Sequence, residues 1–361
     1  MSEAASYLRS ITADDTVLIV QHWDMDGSSS AAILSRIIET VRGEGADHVT
    51  IPADRRHKIG QRTKDKLEEH DVTKFIVVDM SVPADHSAEI VERYDVDMLH
   101  IDHHTFDREP EHAVFVNPRQ EDDDAYVPAA KVCNDIADEF GLDTDWIAGL
   151  GVIQDFGVKQ CPMLFERLQE AYPRYFPKTL NQDTLAKHCR YGRYSTIMNV
   201  KPYKQTDHCV RLAFDALTEA QTLKHLESTE SFHELEKYHE AMEKECNKIQ
   251  KQFEEQKEVY EDKKLVLFTF ESDFHINSSI ATQISLDKPE WAYIVMKKET
   301  GRVNVSSRCQ SGRVDLGARL QAALPEDVGP DAEAGGHKKA AGASFGIDHL
   351  DAFKANLINQ F

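Results

Sequence analysis

Residues 16–27 read TVLIVQHWDMDG: a β-branched apolar run that ends on His22, Asp24 and Asp26 and is turned by Gly27. The run reads as a strand buried on both faces, and residues 27–41, rich in small and aliphatic side chains, read as the helix that follows it. The pattern recurs. Strand-like runs stand at 48–52 (HVTIP), 74–80 (KFIVVDM), 96–102 (VDMLHID) and 113–118 (AVFVNP), with helix candidates at 59–70 and 84–94. Strands alternating with helices imply βαβ units, hence an α/β fold with a mainly parallel sheet covered by helices on both faces. Ligands in such sheets bind beyond the carboxyl ends of the strands. Three of those ends carry ligand-type side chains: HWDMDG, Asp79 after FIVV, and Asp102-His103-His104.

Each cluster also has an ordinary structural reading. In HWDMDG an extended backbone would point residues i, i+2 and i+4 to one side, and Gly27 would let them curl around a cation. Equally, Asp26 could be the N-cap of the helix that follows. Asp79 could form a turn, but after an apolar run a buried charge is costly without a metal or strong hydrogen-bond donors. Adjacent imidazoles after a carboxylate can supply a metal ligand, a phosphate contact and an orienting group; paired histidines also arise by chance in a chain with 17 of them. Asp155 lies in the apolar segment GVIQDFG (151–157) and needs either a metal or a basic partner there.

Taken together these residues make a site of oxygen and nitrogen donors. It suits manganese, with magnesium, iron or cobalt conceivable and a thiolate zinc site disfavoured. Two such metals a few ångströms apart would clamp phosphate oxygens and activate a water, the chemistry of phosphoester hydrolysis.

Composition sets bounds. At 361 residues, two domains are expected. The six cysteines form no CxxC pair, so neither a zinc knuckle nor a disulfide framework is indicated, and reduced, buried thiols are expected. The start of the chain has no signal-peptide pattern and no stretch reaches the roughly 20 apolar residues of a membrane span, so a soluble cytoplasmic protein without a membrane partner is expected. The net charge of −21 is the awkward figure, since proteins gripping long nucleic acids usually show a basic footprint. Any such footprint must be local; Arg55, Arg56, His57, Lys58 and Arg119 are candidates, with a solvated loop the plainer reading of the run 55–58.

Residues 127–226 read as mainly helical, less regularly around Pro173, Pro177 and Pro202. Phe232, Leu235, His239, Met242, Cys246, Ile249, Phe253 and Tyr260 then recur at helical spacings, which predicts one long amphipathic helix, either packed on its own protein or paired as a coiled coil. After it the β/α alternation restarts: KLVLFTF (264–270), a helix candidate at 277–286, WAYIVMKK (291–298), GRVNVSSR (301–308) and two later helices. The expected organisation is a catalytic domain at 1–226, a connecting helix at 227–263 and a smaller α/β domain at 264–361, with the cleft between domains as a natural substrate site.

HWDMDG, VVDMS, HIDHH and GVIQDFG resemble, in order and context, the four motifs of the DHH phosphoesterases, and the chain is similar in style to archaeal, RecJ-like members of that superfamily. The superfamily includes RecJ-type single-strand exonucleases, oligoribonucleases, cyclic-dinucleotide phosphodiesterases and manganese pyrophosphatases. The resemblance implies that His22, Asp24 and Asp79 hold one manganese and that Asp26, Asp79, His103 and Asp155 hold the other. Asp79 would bridge, His104 would contact the scissile phosphate or leaving group, and Asp102 would orient the histidine pair. The first motif departs from the family: RecJ proper has aspartate where His22 stands. AGGHKKAAGASF (334–345) resembles the glycine-rich motif of the C-terminal DHH-associated domain, which implies substrate binding by Gly335, Gly336, His337 and Lys338. A helix cap or tight turn would also explain the glycines. Arg308, in VNVSSRC, matches a strand arginine that the family uses on substrate phosphate or carboxylate.

The activity this implies is a manganese-dependent exonuclease or oligonucleotide phosphodiesterase releasing nucleoside monophosphates from single-stranded DNA or RNA. Hydrolysis of cyclic dinucleotides, pyrophosphate or other small phosphate substrates is the alternative within enzymes. A replication-associated scaffold binding a replication or repair protein is the alternative outside them, and the presence of every expected ligand weighs against it.

Overall fold

A computed structural model describes residues 2–52, 59–202, 204–329 and 331–361. Arg55, Arg56, His57 and Lys58 lie outside the described residues. The chain divides into two compact units, one of residues 1–200 and 205–239, the other of residues 201–204 and 240–361.

The first unit is built on five strands: β1 (Val17–Gln21), β2 (His48–Thr50), β3 (Lys74–Val78), β4 (Asp97–Ile101) and β5 (Val114–Val116). All pair in parallel, in the order β2-β1-β3-β4-β5. Every residue of β1 and β3 is buried, which is why these runs are continuously apolar rather than alternating. One face packs Leu18, Val20, Phe75 and Val77 against Ile59, Leu67 and Ile90. Helix Met25–Arg42 packs against helices Ala129–Asp138 and Asp145–Gln154, burying Ile33, Leu34, Ile37 and Ile38. Each such side chain contributes roughly 1.5–3 kcal/mol. Strand order reverses at β1, between β2 and β3, and the chain's acidic and histidine motifs follow β1, β3 and β4.

Helix Met25–Arg42 begins two residues before the expected start, and its cap is Asp24, not Asp26: Asp24 Oδ1 accepts from the Gly27 N–H at 3.1 Å. The helix at Ala84–Tyr94 has the expected bounds. Residues 127–226 form successive helices between Ala129–Asp138 and Leu223–Leu226.

The long helix is Glu230–Gln256. Tyr260, expected on its stripe, instead ends strand β6 (Glu258–Tyr260). The stripe residues Phe232, Leu235, Ile249 and Phe253 are buried. The division between units falls inside this helix, between His239 and Glu240.

The second unit carries β6 with β7 (Leu265–Glu271), β8 (Ala292–Glu299), β9 (Arg302–Arg308), β10 (Glu333–His337) and β11 (Ala340–Gly346), in the order β10-β11-β9-β8-β7-β6. Among the described residues only β7 and β8 of this sheet pair in parallel. Leu267, Ile294, Met296, Val303, Phe345 and Phe353 belong to its core. The segment 334–345 is an antiparallel hairpin, neither a cap nor an isolated turn, and Gly335 and Gly336 are strand residues within it. At Gly336, with φ of 127°, a Cβ would lie 2.7 Å from the Ala341 Cα, so this register requires glycine.

Among the described residues no helix is long and apolar enough to cross a membrane. Of the six free cysteines four are buried, while Cys189 and Cys246 are half-buried; the Cys189 thiol accepts from the Gly192 N–H at the start of its helix.

Candidate metal centre

The turn after β1 positions three side chains differently. His22 follows the strand, and its Nδ1 lies 2.8 Å from Asp24 Oδ2 and 3.5 Å from Asp79 Oδ2. Asp24 thus serves the helix with one oxygen and faces His22 with the other. Gly27 makes the turn possible, since a Cβ there would sit 2.4 Å from the His22 carbonyl oxygen. Asp26, in the first turn of the helix, is buried. Its Oδ2 accepts from the Ala129 N–H at 2.8 Å and its Oδ1 from the Ala130 N–H at 2.9 Å, the first amides of helix Ala129–Asp138. Those unpaired helix-start donors favour a carboxylate.

Asp79, one residue past β3, has a left-handed backbone (φ 59°) and is buried. Its Oδ1 lies 3.3 Å from His103 Nε2. Beyond β4, Asp102 and His103 are buried; His103 Nε2 also stands 3.8 Å from Asp26 Oδ2 and 3.6 Å from Asp155 Oδ2. Asp102 Oδ1 lies 2.7 Å from His104 Nδ1. Asp155 caps helix Asp145–Gln154, and the Tyr126 hydroxyl lies 2.8 Å from its Oδ2 and 2.7 Å from its backbone oxygen.

Three overlapping groups of candidate ligand atoms result, each within 4.8 Å: His22, Asp24 and Asp79; Asp26, His103 and Asp155; Asp79, Asp102, His103 and His104. Five carboxylates and three imidazoles thereby share one region. Burial, then the negative charge of Asp79, pushes the Asp26 carboxyl well above the usual carboxylate range, and burial raises Asp155 as well. Burial would pull both histidines down, but it is outweighed: Asp24 and Asp79 hold His22 up at about 10, and Asp79, Asp26 and Asp155 hold His103 up at about 9. Asp102 differs, because against burial its contact with His104 brings it down to about 2.

Such crowding of negative charge needs cations. Asp79 Oδ2 is buried and accepts no hydrogen bond among the described residues, with only His22 Nδ1 facing it at 3.5 Å, so a positive ion would be expected there. The donors are oxygens and imidazole nitrogens with no thiolate among them, a set that fits hard to borderline divalent ions. The residues present therefore fit divalent metals.

Residues 16–153 match the DHH family, N-terminal domain. That segment is a DHH domain. Asp155 lies just beyond the matched segment. No curated protein sequence matches the chain significantly. Among solved structures, this chain is similar to exonuclease RecJ bound to manganese, at 20% identity and a TM-score of 0.65, covering 98% of this chain and 92% of that one. It is similar to RecJ from Thermus thermophilus in complex with Mn2+, at 20% identity and a TM-score of 0.67, with 98% of this chain but only 53% of that one covered. It is also similar to CDC45 from Entamoeba histolytica, at 11% identity and a TM-score of 0.62, over 99% of this chain and 97% of that one. At these identities the likeness is one of fold. The DHH domain and its cluster of carboxylates and imidazoles indicate a metal-dependent phosphoesterase.

Sequence reasoning missed several residues around the centre. Tyr126 holds Asp155, and Asn117 donates to the His104 carbonyl at 2.9 Å. Arg119, expected on a basic substrate path, has its Nε donating to the His103 carbonyl oxygen at 3.0 Å and its Nη1 donating to the Asp123 carbonyl, so it braces the DHH segment. Their only sequence signal was polarity near a strand end. In the second unit Arg308 ends β9, its Nη2 donating to Ser278 Oγ at 2.7 Å and its Nε to Thr282 Oγ1 at 3.1 Å. Gly335, Gly336, His337 and Lys338 are exposed.

Proposed function

We propose that this protein is a two-metal, manganese-dependent phosphodiesterase acting on single-stranded DNA, RNA or short oligonucleotides and releasing nucleoside monophosphates. The observation that carries the reading is the double membership of Asp79. Its Oδ2 faces the His22 and Asp24 group and its Oδ1 faces His103, which groups with Asp26 and Asp155. One carboxylate shared by two ligand sets is what a pair of adjacent ions requires. His22, Asp24 and Asp79 would hold one ion, and Asp26, Asp79, His103 and Asp155 the other. When bound, such a pair neutralises phosphate charge and lowers the pKa of water.

The chain's own groups do the rest. Asp102 accepts from His104 Nδ1–H, which orients the ring so that its Nε2 would meet a phosphate or leaving oxygen. The amides of Ala129 and Ala130 fix Asp26, and Tyr126 fixes Asp155, so that neither carboxylate reorients as substrate enters. Residues 1–226 would carry catalysis, 227–263 the connection, and 264–361 the substrate-gripping surface with Arg308, Gly335, Gly336, His337 and Lys338. The fold likeness to exonuclease RecJ supports a nucleic-acid substrate. A replication or repair protein partner is in keeping with the fold likeness to CDC45.

The net charge of −21 favours a second reading, hydrolysis of cyclic dinucleotides or other small phosphate substrates, which need no long basic track. One experiment separates the two: manganese-supplemented digestion of end-labelled DNA and RNA strands of graded length, with products resolved by size. Stepwise release of monophosphates from long strands is expected. Turnover confined to dinucleotides would favour the second reading, and no turnover of any phosphodiester would remove both.

A further inference from the structure

Phe156 follows the candidate ligand Asp155 and is 73% exposed. An isolated exposed aromatic is ordinary; the backbone beneath this one is not. Phe156 has φ of 57°, the left-handed region that suits glycine or asparagine and disfavours a bulky side chain. The helix Asp145–Gln154 stops here by a recognisable device: Gly157 N–H bonds to the Val152 carbonyl at 2.9 Å and Phe156 N–H to the Ile153 carbonyl at 3.3 Å. Helices that end this way usually place glycine at the left-handed position. Here phenylalanine occupies it, with the glycine one residue later.

The turn cannot relax that conformation away. A Cβ on Gly157 would lie 2.4 Å from Pro128 Cγ, so the chain is pressed against that ring. Gln182 clamps both sides: its Nε2 donates to the Ile153 carbonyl at 2.7 Å and its Oε1 accepts from the Val158 N–H at 3.4 Å. Tyr126 holds Asp155 itself. An unfavourable backbone is thus fixed from three directions, and its effect is to present a ring to solvent beside Asp155. Lys159, three residues on, is also exposed. An exposed aromatic face is the kind of surface on which a base of a single strand stacks, whatever its sequence.

We propose that Phe156 is a stacking platform for a nucleobase of the strand presented to the metal centre, setting which nucleotide comes to rest beside Asp155. The inference rests on the nucleic-acid reading above and sharpens it. It makes Phe156 a substrate-binding residue whose contribution is lost when the base is missing.

The test compares wild type with Phe156→Ala, Phe156→Trp and Phe156→Gly in the full chain with manganese. The substrates are single strands that are intact or carry one abasic residue stepped through the first few positions from either end. Wild type should cleave intact strands about tenfold more efficiently than the strand abasic at one particular position. Phe156→Ala should raise KM on intact strands by a similar factor, leave kcat nearly unchanged and erase the abasic penalty. Phe156→Trp should keep the penalty. Phe156→Gly should erase it as alanine does while melting no lower than wild type, which separates loss of the ring from misfolding. A wild type that cleaves strands with no abasic penalty, or a Phe156→Ala variant that keeps it, overturns this inference alone. A wild type that cleaves small phosphodiesters but no strand overturns the nucleic-acid reading and this inference with it.

Discussion

Asp102 Oδ1 lies 2.7 Å from His104 Nδ1, joining a buried carboxylate to a partly exposed imidazole at the end of β4. The pair fixes the ring's orientation and makes Nε2 the nitrogen that would meet substrate. Asp102→Asn keeps the shape but removes the charge that selects this arrangement, so kcat should fall by roughly 10–100-fold, the usual effect of losing such an orienting partner. Metal affinity should change little. Steady-state rates beside a metal titration would check this, and an unchanged kcat would remove His104 from the proposed chemistry.

A second expectation concerns Gly27. A Cβ there would meet His22 backbone atoms at 2.4, 2.8 and 2.9 Å, and backbone cannot swing aside as a flexible side chain can. Gly27→Ala should therefore displace the turn that carries His22 and Asp24, costing on the order of 1–3 kcal/mol and weakening metal binding. Thermal unfolding and metal titration of the variant would show it; wild-type values for both would mean the turn is looser than described.

Protons and metal compete for the same histidines. In the metal-free protein His22 and His103 are held up at about 10 and about 9, above the ordinary 6.5. Their ion pairs thus stabilise the metal-free fold fully below about 6.5, and that contribution is lost as pH rises through 9 to 10. Metal must expel those protons, so affinity should strengthen as pH rises from 6 to 9, with net proton release on binding near pH 7.5. Calorimetry in buffers of different ionisation enthalpy measures the release directly. Finding none would contradict the described histidine environment.

The parallel sheet was legible because its central strands β1 and β3 are buried along their whole length and read as apolar runs, each followed by a polar turn and a helical stretch. The strand-end rule then pointed to the ends of β1, β3 and β4, where His22, Asp24, Asp26, Asp79 and His103 group with Asp155. Which aspartate caps the helix was not legible, because Asp24 and Asp26 are both good caps and only the backbone turn decides. Tyr126 and Arg119 act through contacts with residues 29 and 16 positions away, which no local pattern encodes. The hairpin at Glu333–Gly346 escaped because alanine and glycine, with little β propensity, form it. Tyr260 fits the helical spacing, yet the helix ends at Gln256 and the chain goes straight into an edge strand.

The bonds from Asp26 to the amides of Ala129 and Ala130 span more than 100 residues of chain. As the polypeptide leaves the ribosome from its amino end, His22, Asp24 and Asp79 emerge first and can gather on the early strands. Asp26 has to wait for its amide partners, and then for Asp155. A nascent chain would thus pass through a stage with one half of the centre formed and the other still unbuilt, so competence for the proposed two-ion chemistry would arrive only once Asp155 has been made and the helices beyond the sheet dock.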